Sequence, residues 1–354
     1  MTTVLSRAPV AARDGDVSIV RRARARRRRR YVFGCCALGC AVVAVVVLSL
    51  CVGDRTYSLP EVWRVILDER VPGASFTVGH LRLPRVIIGA LAGISFGVSG
   101  SVFQTLLRNQ LASPDVIGIT SGSSVGAVVG IVVLGWGGAA VSVLALVSGL
   151  VVSALIYLVA YRNGLSSTRL VLTGIATAAV VQGVISYVLL RARAYDVQSA
   201  MRWISGNLNS AFWDVLPPLL LPMLVLVPLL AVLATRLRIL QLGDLSATSL
   251  GLRTERSRLA IILVAVCLIA VATAATGPIA FVALLAGPIA TRIAGTGGAL
   301  LPSALVGALI VLAADFVGSH LLPVDYPVGT VTGAVGAPYL LWLLARTSRT
   351  GVSR

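Results

Sequence analysis

From residue 31 onward the chain is built of apolar runs about twenty residues long, parted by short turns rich in Gly, Pro and Arg. A helix needs runs of that length to cross ~30 Å of hydrocarbon at a rise of ~1.5 Å per residue. Ten can be read, roughly at 31–52, 83–106, 115–135, 138–160, 169–190, 214–234, 259–276, 279–294, 301–320 and 328–345. They lack the period-two alternation of a membrane β-barrel. The expected fold class is an all-α integral membrane protein of about ten transmembrane helices. A mean hydropathy of +0.94 and 57% hydrophobic residues agree with that class.

All thirty basic residues are Arg, and Lys is absent. Codon bias in a high-GC genome accounts for this, yet it excludes some chemistry. A phosphate-binding P-loop needs its GK[ST] lysine, and a pyridoxal Schiff base needs a lysine too. The chain therefore carries no standard ATP-binding cassette of its own. Cys35, Cys36, Cys40, Cys51 and Cys267 are scattered through the apolar runs, unsuited to a metal site or a disulfide framework. His80 and His320 are too few for a His-based metal centre. No Ser–His–Asp or metal grammar appears, so no catalytic residue, metal or cofactor is expected.

The net charge of +17 is concentrated in "RRARARRRRR" at 21–30, directly before the first run. The positive-inside rule explains such a cluster as a topogenic signal beside anionic membrane lipid, with no need for nucleic acid. Residues 21–51 also imitate a secretory signal, but the bulky Leu50 before Cys51 opposes lipoprotein processing, and a retained first helix is expected. Ten spans then put both termini in the cytoplasm, with twenty-two arginines inside and eight outside. The expected division is a basic cytoplasmic segment at 1–30, a transmembrane domain at 31–346 and a cytoplasmic tail at 347–354.

Two outer arginines, Arg82 and Arg85 in "LRLPR", stand beside Pro84, which suits a first helical turn and leaves their guanidiniums free at the surface. They either snorkel to headgroups or dock an acidic partner, since Arg pairs bidentately with carboxylates. Gly89, Gly93, Gly97 and Ser101 repeat every four residues, as do Gly118, Gly122, Gly126 and Gly130, with a shorter stripe at Gly329, Gly333 and Ala337. Each stripe lies on one helix face and admits close backbone approach, as in ordinary helix packing or a translocation core. Between the first two lies "RNQLASPD", where Ser113, Pro114 and Asp115 read as cap, first helical position and first-turn acid. Polar irregular backbone at such depth is tolerated only where protein buries it or water reaches it.

Asp315 is the one acid well inside a run. Intramembrane acids are functional candidates by default, but with no second acid or Lys evident to relay a proton, an interhelical hydrogen bond is its expected role. The longest inner loop, 235–258, contains a short amphipathic helix opening after Gly243-Asp244 and stopping near Gly251, with Leu245, Thr248, Ser249 and Leu252 marking its pattern. It rests on headgroups or pushes against a soluble partner.

Taken in order, "LRLPR" (81–85), "RNQLASPDVIGITSG" (108–122), "LSSTRLVLTGIA" (165–176), "LQLGDLSATSLGL" (240–252), "TGPIAFVALLAGPIATRIAG" (276–295) and "YPVGTVTGAVGAPYLLWLL" (326–344) resemble the FecCD family of ABC-importer permeases. The family takes up iron–siderophores, haem or cobalamin, and the cobalamin importer permease is a similar member. The resemblance implies a permease dimer around a central pathway, two ATPase subunits inside and a binding protein outside. It further implies a cytoplasmic gate at Asn109, Leu111, Ser167 and Thr168, and binding-protein docking at Arg82 and Arg85. An ATPase coupling loop is implied at Gly243, Asp244, Leu250 and Gly251, and a short outer helix closing the pathway at 196–207. The substrate it favours is a ferric siderophore, with cobalamin or haem as alternatives in the same class and an ion-coupled secondary transporter as the alternative class. Three departures stand out. Gln110 replaces the usual Pro of Asn-Pro-Leu-Ala, Gly287-Pro288 replaces Pro-His or Pro-Gln, and Ser319-His320 stands where many members carry an outer Arg.

Overall fold

A computed structural model describes residues 14–53, 55–161, 167–295 and 300–351. Residues 1–13 of the basic segment, 165–166 of the third matching segment and 352–354 of the tail lie outside that description. The helices are α1 (Asp14–Cys51), α2 (Leu59–Ile66), α3 (Ala74–Phe76), α4 (Leu83–Leu107), α5 (Ile119–Val128), α6 (Ala139–Ala160) and α7 (Ser167–Leu190). They continue with α8 (Ala194–Ile204), α9 (Leu216–Leu240), α10 (Asp244–Ser249), α11 (Thr254–Thr276), α12 (Val282–Ala294), α13 (Leu300–His320) and α14 (Val328–Gly351). Every one of the ten expected runs falls on a helix, and no strand occurs among the described residues.

Two spans are short. Helix α12 has 13 residues, and α5 with the π turn that follows it covers Ile119–Val133. At ~1.5 Å per residue these reach only about 20–22 Å, less than the hydrocarbon thickness. Each is preceded by backbone that is not α-helical, at 108–118 and 277–281. Such backbone survives in a membrane only when its polar groups find partners within the protein.

Helix α4 is the central post, packed against α13, α11 and α12. Its glycine stripe explains how it sits there. A Cβ added to Gly93 would lie 2.5 Å from the Gly307 carbonyl oxygen on α13, and one added to Gly97 would collide with the Ser303 carbonyl. Gly93 therefore faces Gly307 and Gly97 faces Ser303, an antiparallel register that brings two backbones into contact. The second stripe forms another antiparallel seam, in which Gly118, Gly122, Gly126 and Gly130 meet Ile156, Val152, Ser148 and Leu144 of α6 in turn. Both stripes are thus taken up in pairwise helix packing. The third is not continuous, because Gly329 is packed while Gly333 opens on empty space.

The first helix begins at Asp14, so the arginine run is part of one continuous α-helix with the span that follows. Arg30 turns back onto the bundle. Its Nη2 donates to the Arg292 carbonyl at 2.5 Å and its Nε to the Ile293 carbonyl at 3.4 Å. These are carbonyls of the last turn of α12, where a cation also suits the helix dipole. At the far end of α1, Arg82 donates to the Leu50 carbonyl at 2.9 Å. The two ends of the bundle are named below by Arg30 and Arg85.

Candidate functional site

At the Arg30 end, α4 stops at Arg108, whose φ of 50° is left-handed. That conformation costs an L-residue roughly 1–2 kcal/mol where Gly would adopt it freely. The chain then turns on itself. Asn109 Oδ1 accepts from the Leu111 N–H at 2.9 Å, and the Ala112 N–H donates to the Asn109 carbonyl at 3.1 Å. Gln110 occupies the first central position of this turn, the corner where proline is favoured. The Asn109 side chain and the Ala112 bond hold the turn without it. Ser113 caps the following 3-10 turn (Pro114–Ile117), and its hydroxyl donates to the Asp115 carboxylate at 2.9 Å. The cap–proline–acid grammar therefore starts a 3-10 turn, and α5 begins only after the left-handed Gly118.

Of the residues expected at a gate, Asn109 and Thr168 are exposed and Leu111 is half-buried; Ser167 is the first residue of α7, its side chain outside the described part. The 3-10 turn that follows Asn109 and Leu111 packs beside α7.

The expected coupling helix is α10, with left-handed glycines at Gly243 (φ 108°) and Gly251 (φ 80°) on either side. Its buried face differs from the one the sequence pattern gives. Ala247 is fully buried and Leu252 packs on the core, whereas Leu245 is 88% exposed. With only six residues the helix has room for one packed position, and the small Ala247 takes it. Leu242, Leu245 and Leu250 are left exposed together at this end. Asp244 pairs with Arg258 of α11 at 3.1 Å.

The Arg85 end corrects an expectation. Neither Arg82 nor Arg85 has a guanidinium free at the surface. Arg82 donates to the Leu50 and Arg55 carbonyls at 2.9 and 2.7 Å and lies 5.3 Å from the Tyr57 ring centroid. Arg85 donates to both Asp315 oxygens, Nε at 2.9 Å and Nη2 at 2.7 Å, and to the Ser319 hydroxyl at 2.6 Å. Asp315, read as a lone acid, is thus one half of an interhelical ion pair and only 6% exposed. The register of α4 on α13 brings the two together. Gly93 faces Gly307 in an antiparallel pair, and Arg85 and Asp315 each lie eight residues from that crossing toward the same end. Ser319 completes the coordination of Arg85.

Also at this end, the short helix expected at 196–207 is α8, and three chain segments lock behind it. The Asn207 N–H donates to the Thr276 carbonyl at 2.9 Å, and the Gly329 N–H donates to the Gly206 carbonyl at 3.0 Å. Side chains at Gly206, Gly277 or Gly329 would strike the backbone of the neighbouring segment. Gly206 and Gly277 also have positive φ (65° and 71°), so glycine is required there twice over.

The Gly287-Pro288 departure has a local explanation. Pro288 has no N–H to give the Leu284 carbonyl four residues earlier. Gln104 of α4 supplies the missing donor, its Nε2 lying 2.9 Å from that carbonyl. A side chain at Gly287 would overlap the Gln104 amide. The three residues act as a set.

One feature was missed because hydropathy averages it away. Within α7, Ala179, Gln182, Gly183 and Ser186 are all exposed and share one face at helical spacing. Polar groups within a span face protein or water rather than lipid.

Similarity to known proteins agrees with this geometry. The chain is 39% identical over 323 residues to the ferric enterobactin transport system permease protein of Escherichia coli (strain K12), covering 91% of this chain and 98% of that one. It is 39% identical over 310 residues to the achromobactin transport system permease protein of Dickeya dadantii (strain 3937), covering 86% and 89%. With the Fe(3+)-citrate import system permease protein of Bacillus subtilis (strain 168) it shares 34% identity over 330 residues, covering 92% and 98%. A solved structure, described by its investigators as an inward-facing conformation of a metal-chelate type ABC transporter, superposes with a TM-score of 0.80 at 26% identity, covering 88% of this chain and 98% of that chain. The model of the FecCD transport family matches residues 41–346, and this chain belongs to that family.

Proposed function

We propose that this chain carries a ferric siderophore across a bacterial plasma membrane, receiving it at the Arg85 end and releasing it at the Arg30 end. The observation that carries the reading is the run of near full-length relatives whose names specify iron chelates. As the permease subunit of an ATP-binding-cassette importer it works with ATPase subunits and a binding protein, and does no bond chemistry itself. In this reading both termini are cytoplasmic, and a second permease subunit, identical or related, completes the pathway. The exposed polar face of α7 supports a lining role there. The exposed Leu242, Leu245 and Leu250 around α10 support contact with an ATPase.

The gate is assigned to Asn109 and Leu111 with Ser167 and Thr168, and coupling to Gly243, Asp244, Leu250 and Gly251. Docking through Arg82 and Arg85 requires an incoming carboxylate to share guanidiniums already bonded within the chain. The ion-coupled alternative is weakened, because Asp315, the acid within a span, is held by Arg85.

The test compares uptake of radiolabelled iron, presented as the organism's own siderophore, with uptake of radiolabelled cobalamin in a deletion strain. Loss of iron uptake alone, restored by the gene, is expected; loss of cobalamin uptake alone overturns the substrate. Asn109→Trp is expected to cut uptake while leaving assembly with the ATPase intact, and unchanged uptake removes Asn109 from the gate.

A further inference from the structure

The gate turn and the coupling helix share one carboxylate. Arg108, the left-handed residue that ends α4 and immediately precedes Asn109, extends its guanidinium across to the α9–α10 junction. Its Nη2 donates to the Leu240 carbonyl at 2.9 Å and stands 3.9 Å from Asp244 Oδ1. Asp244 opens α10, and Arg258 of α11 holds it closer, with Nη2 at 3.1 and 3.2 Å from its two oxygens. Arg258 also reaches Glu255 at 3.5 Å. Asp244 therefore lies between two guanidiniums, one on the fixed end of α11 and one on the gate.

The two arginines differ in freedom. The Arg258 side chain is 15% exposed and seated in the bundle, whereas those of Arg108 and Asp244 are 54% and 58% exposed. A carboxylate on a short helix between two flexible-jointed glycines can change partners with a displacement of about 1 Å, the difference between the two approaches. Coulomb attraction varies inversely with distance, so that displacement reverses which arginine binds it more tightly. At the gate end the geometry is stiff. Arg108 is fixed by its own backbone turn, and Asn109 by two hydrogen bonds in the next turn. A pull on the Arg108 guanidinium therefore moves the gate backbone as a unit.

We infer that Asp244 is an exchangeable ion-pair partner that transmits motion of α10 to the gate, with Arg108 as the positioning residue on the gate side. Moving α10 so that Asp244 leaves Arg258 for Arg108 draws the 108–112 turn toward the coupling helix; the return movement releases it. This rests on the permease reading above and adds a specific linkage within it.

The test uses the whole importer, with its ATPase and binding protein, reconstituted in liposomes and supplied with the organism's own siderophore loaded with radioactive iron. The quantity read is iron moved per ATP hydrolysed. Arg108→Gln and Asp244→Asn are each expected to lower that ratio by about fivefold, the factor corresponding to ~1 kcal/mol of ion-pair energy. The double variant, Arg108→Gln with Asp244→Asn, is expected to lose less than the product of the two single losses, and the effect of either single change to shrink in high salt. A merely structural Arg108 gives independent losses that multiply and no salt dependence. Unchanged ratios in the single variants, or losses that multiply in the double variant, overturn the linkage. If Arg108→Gln does not co-purify with the ATPase, Arg108→Met replaces it, and a wild-type ratio in that variant overturns the linkage equally. A wild-type importer that hydrolyses ATP without moving iron instead defeats the siderophore reading, so the two failures are distinguishable.

Discussion

Helices α4 and α7 are nearly the same length, 25 and 24 residues, and sequence alone marks both as spans. Their surroundings are opposite. Of the most apolar 18-residue windows, 78% of residues are buried in the span that ends with α4 and 11% in α7. Hydropathy reports what a helix can be immersed in, and small residues report what it can be pressed against. Helix α4 carries glycines that meet backbone on α12 and α13. Helix α7 carries Leu172, Ile175, Val180, Val184 and Tyr187 outward, interleaved with exposed Gln182, Gly183 and Ser186. One is a post and the other an exposed wall.

The strongest way to break this contrast is at the post's buried ion pair. Asp315→Ala is expected to destabilise the permease by about 3–5 kcal/mol, because Arg85 is left charged and unpaired. The double variant Arg85→Met with Asp315→Leu is expected to regain most of that, as replacement of both charges removes the desolvation cost as well as the attraction. Thermal unfolding in detergent measures both. A single variant no less stable than wild type would mean that the Arg85 end is water-filled.

A smaller effect compares two glycines. Gly93→Ala places a methyl group against the α13 backbone and is expected to cost about 1–3 kcal/mol. Gly183→Ala in α7 meets nothing within 4 Å and is expected to stay within about 0.5 kcal/mol of wild type in the isolated subunit. If Gly183→Ala is neutral alone yet prevents pairing with a second permease, the exposed face of α7 is the interface itself.

The ten runs, their order and the helix-start grammar at Ser113 were legible because each depends on residues near one another in the chain. The Arg85–Asp315 pair was not, since its partners are 230 residues apart and only the register of α4 on α13 brings them together. The same holds for the glycine stripes, whose spacing announced close packing but not whether α6, α13 or a pore was opposite. The inverted face of α10 had a different cause. In a six-residue helix the volume of one buried side chain outweighs any apolar pattern.

The smallest expected effect lies outside the bundle, in α2. Both the Ser58 hydroxyl, at 2.7 Å, and the Ser58 N–H, at 2.8 Å, donate to Glu61. Those hydrogen bonds, the hydroxyl's first, hold the Glu61 carboxyl below its ordinary value. A depressed carboxyl contributes stability that is present above its unfolded-state pKa and lost as pH falls through the folded one. Hydrogen-exchange protection at α2, corrected for the intrinsic rate at each pH, is therefore expected to fall on acidification in wild type, and Glu61→Gln is expected to abolish that dependence while leaving α4 and α7 alike untouched.

Arg30 has a consequence for how the molecule is made. It is synthesised well before its partner, for the carbonyl it caps lies 262 residues later. At roughly 5–20 residues per second, about 13–50 s of synthesis separate the two. Throughout that interval α1 stands without the helices α12 and α13 against which it finally packs. Only when α12 arrives does one arginine of the run find its carbonyls and fasten the end of the bundle.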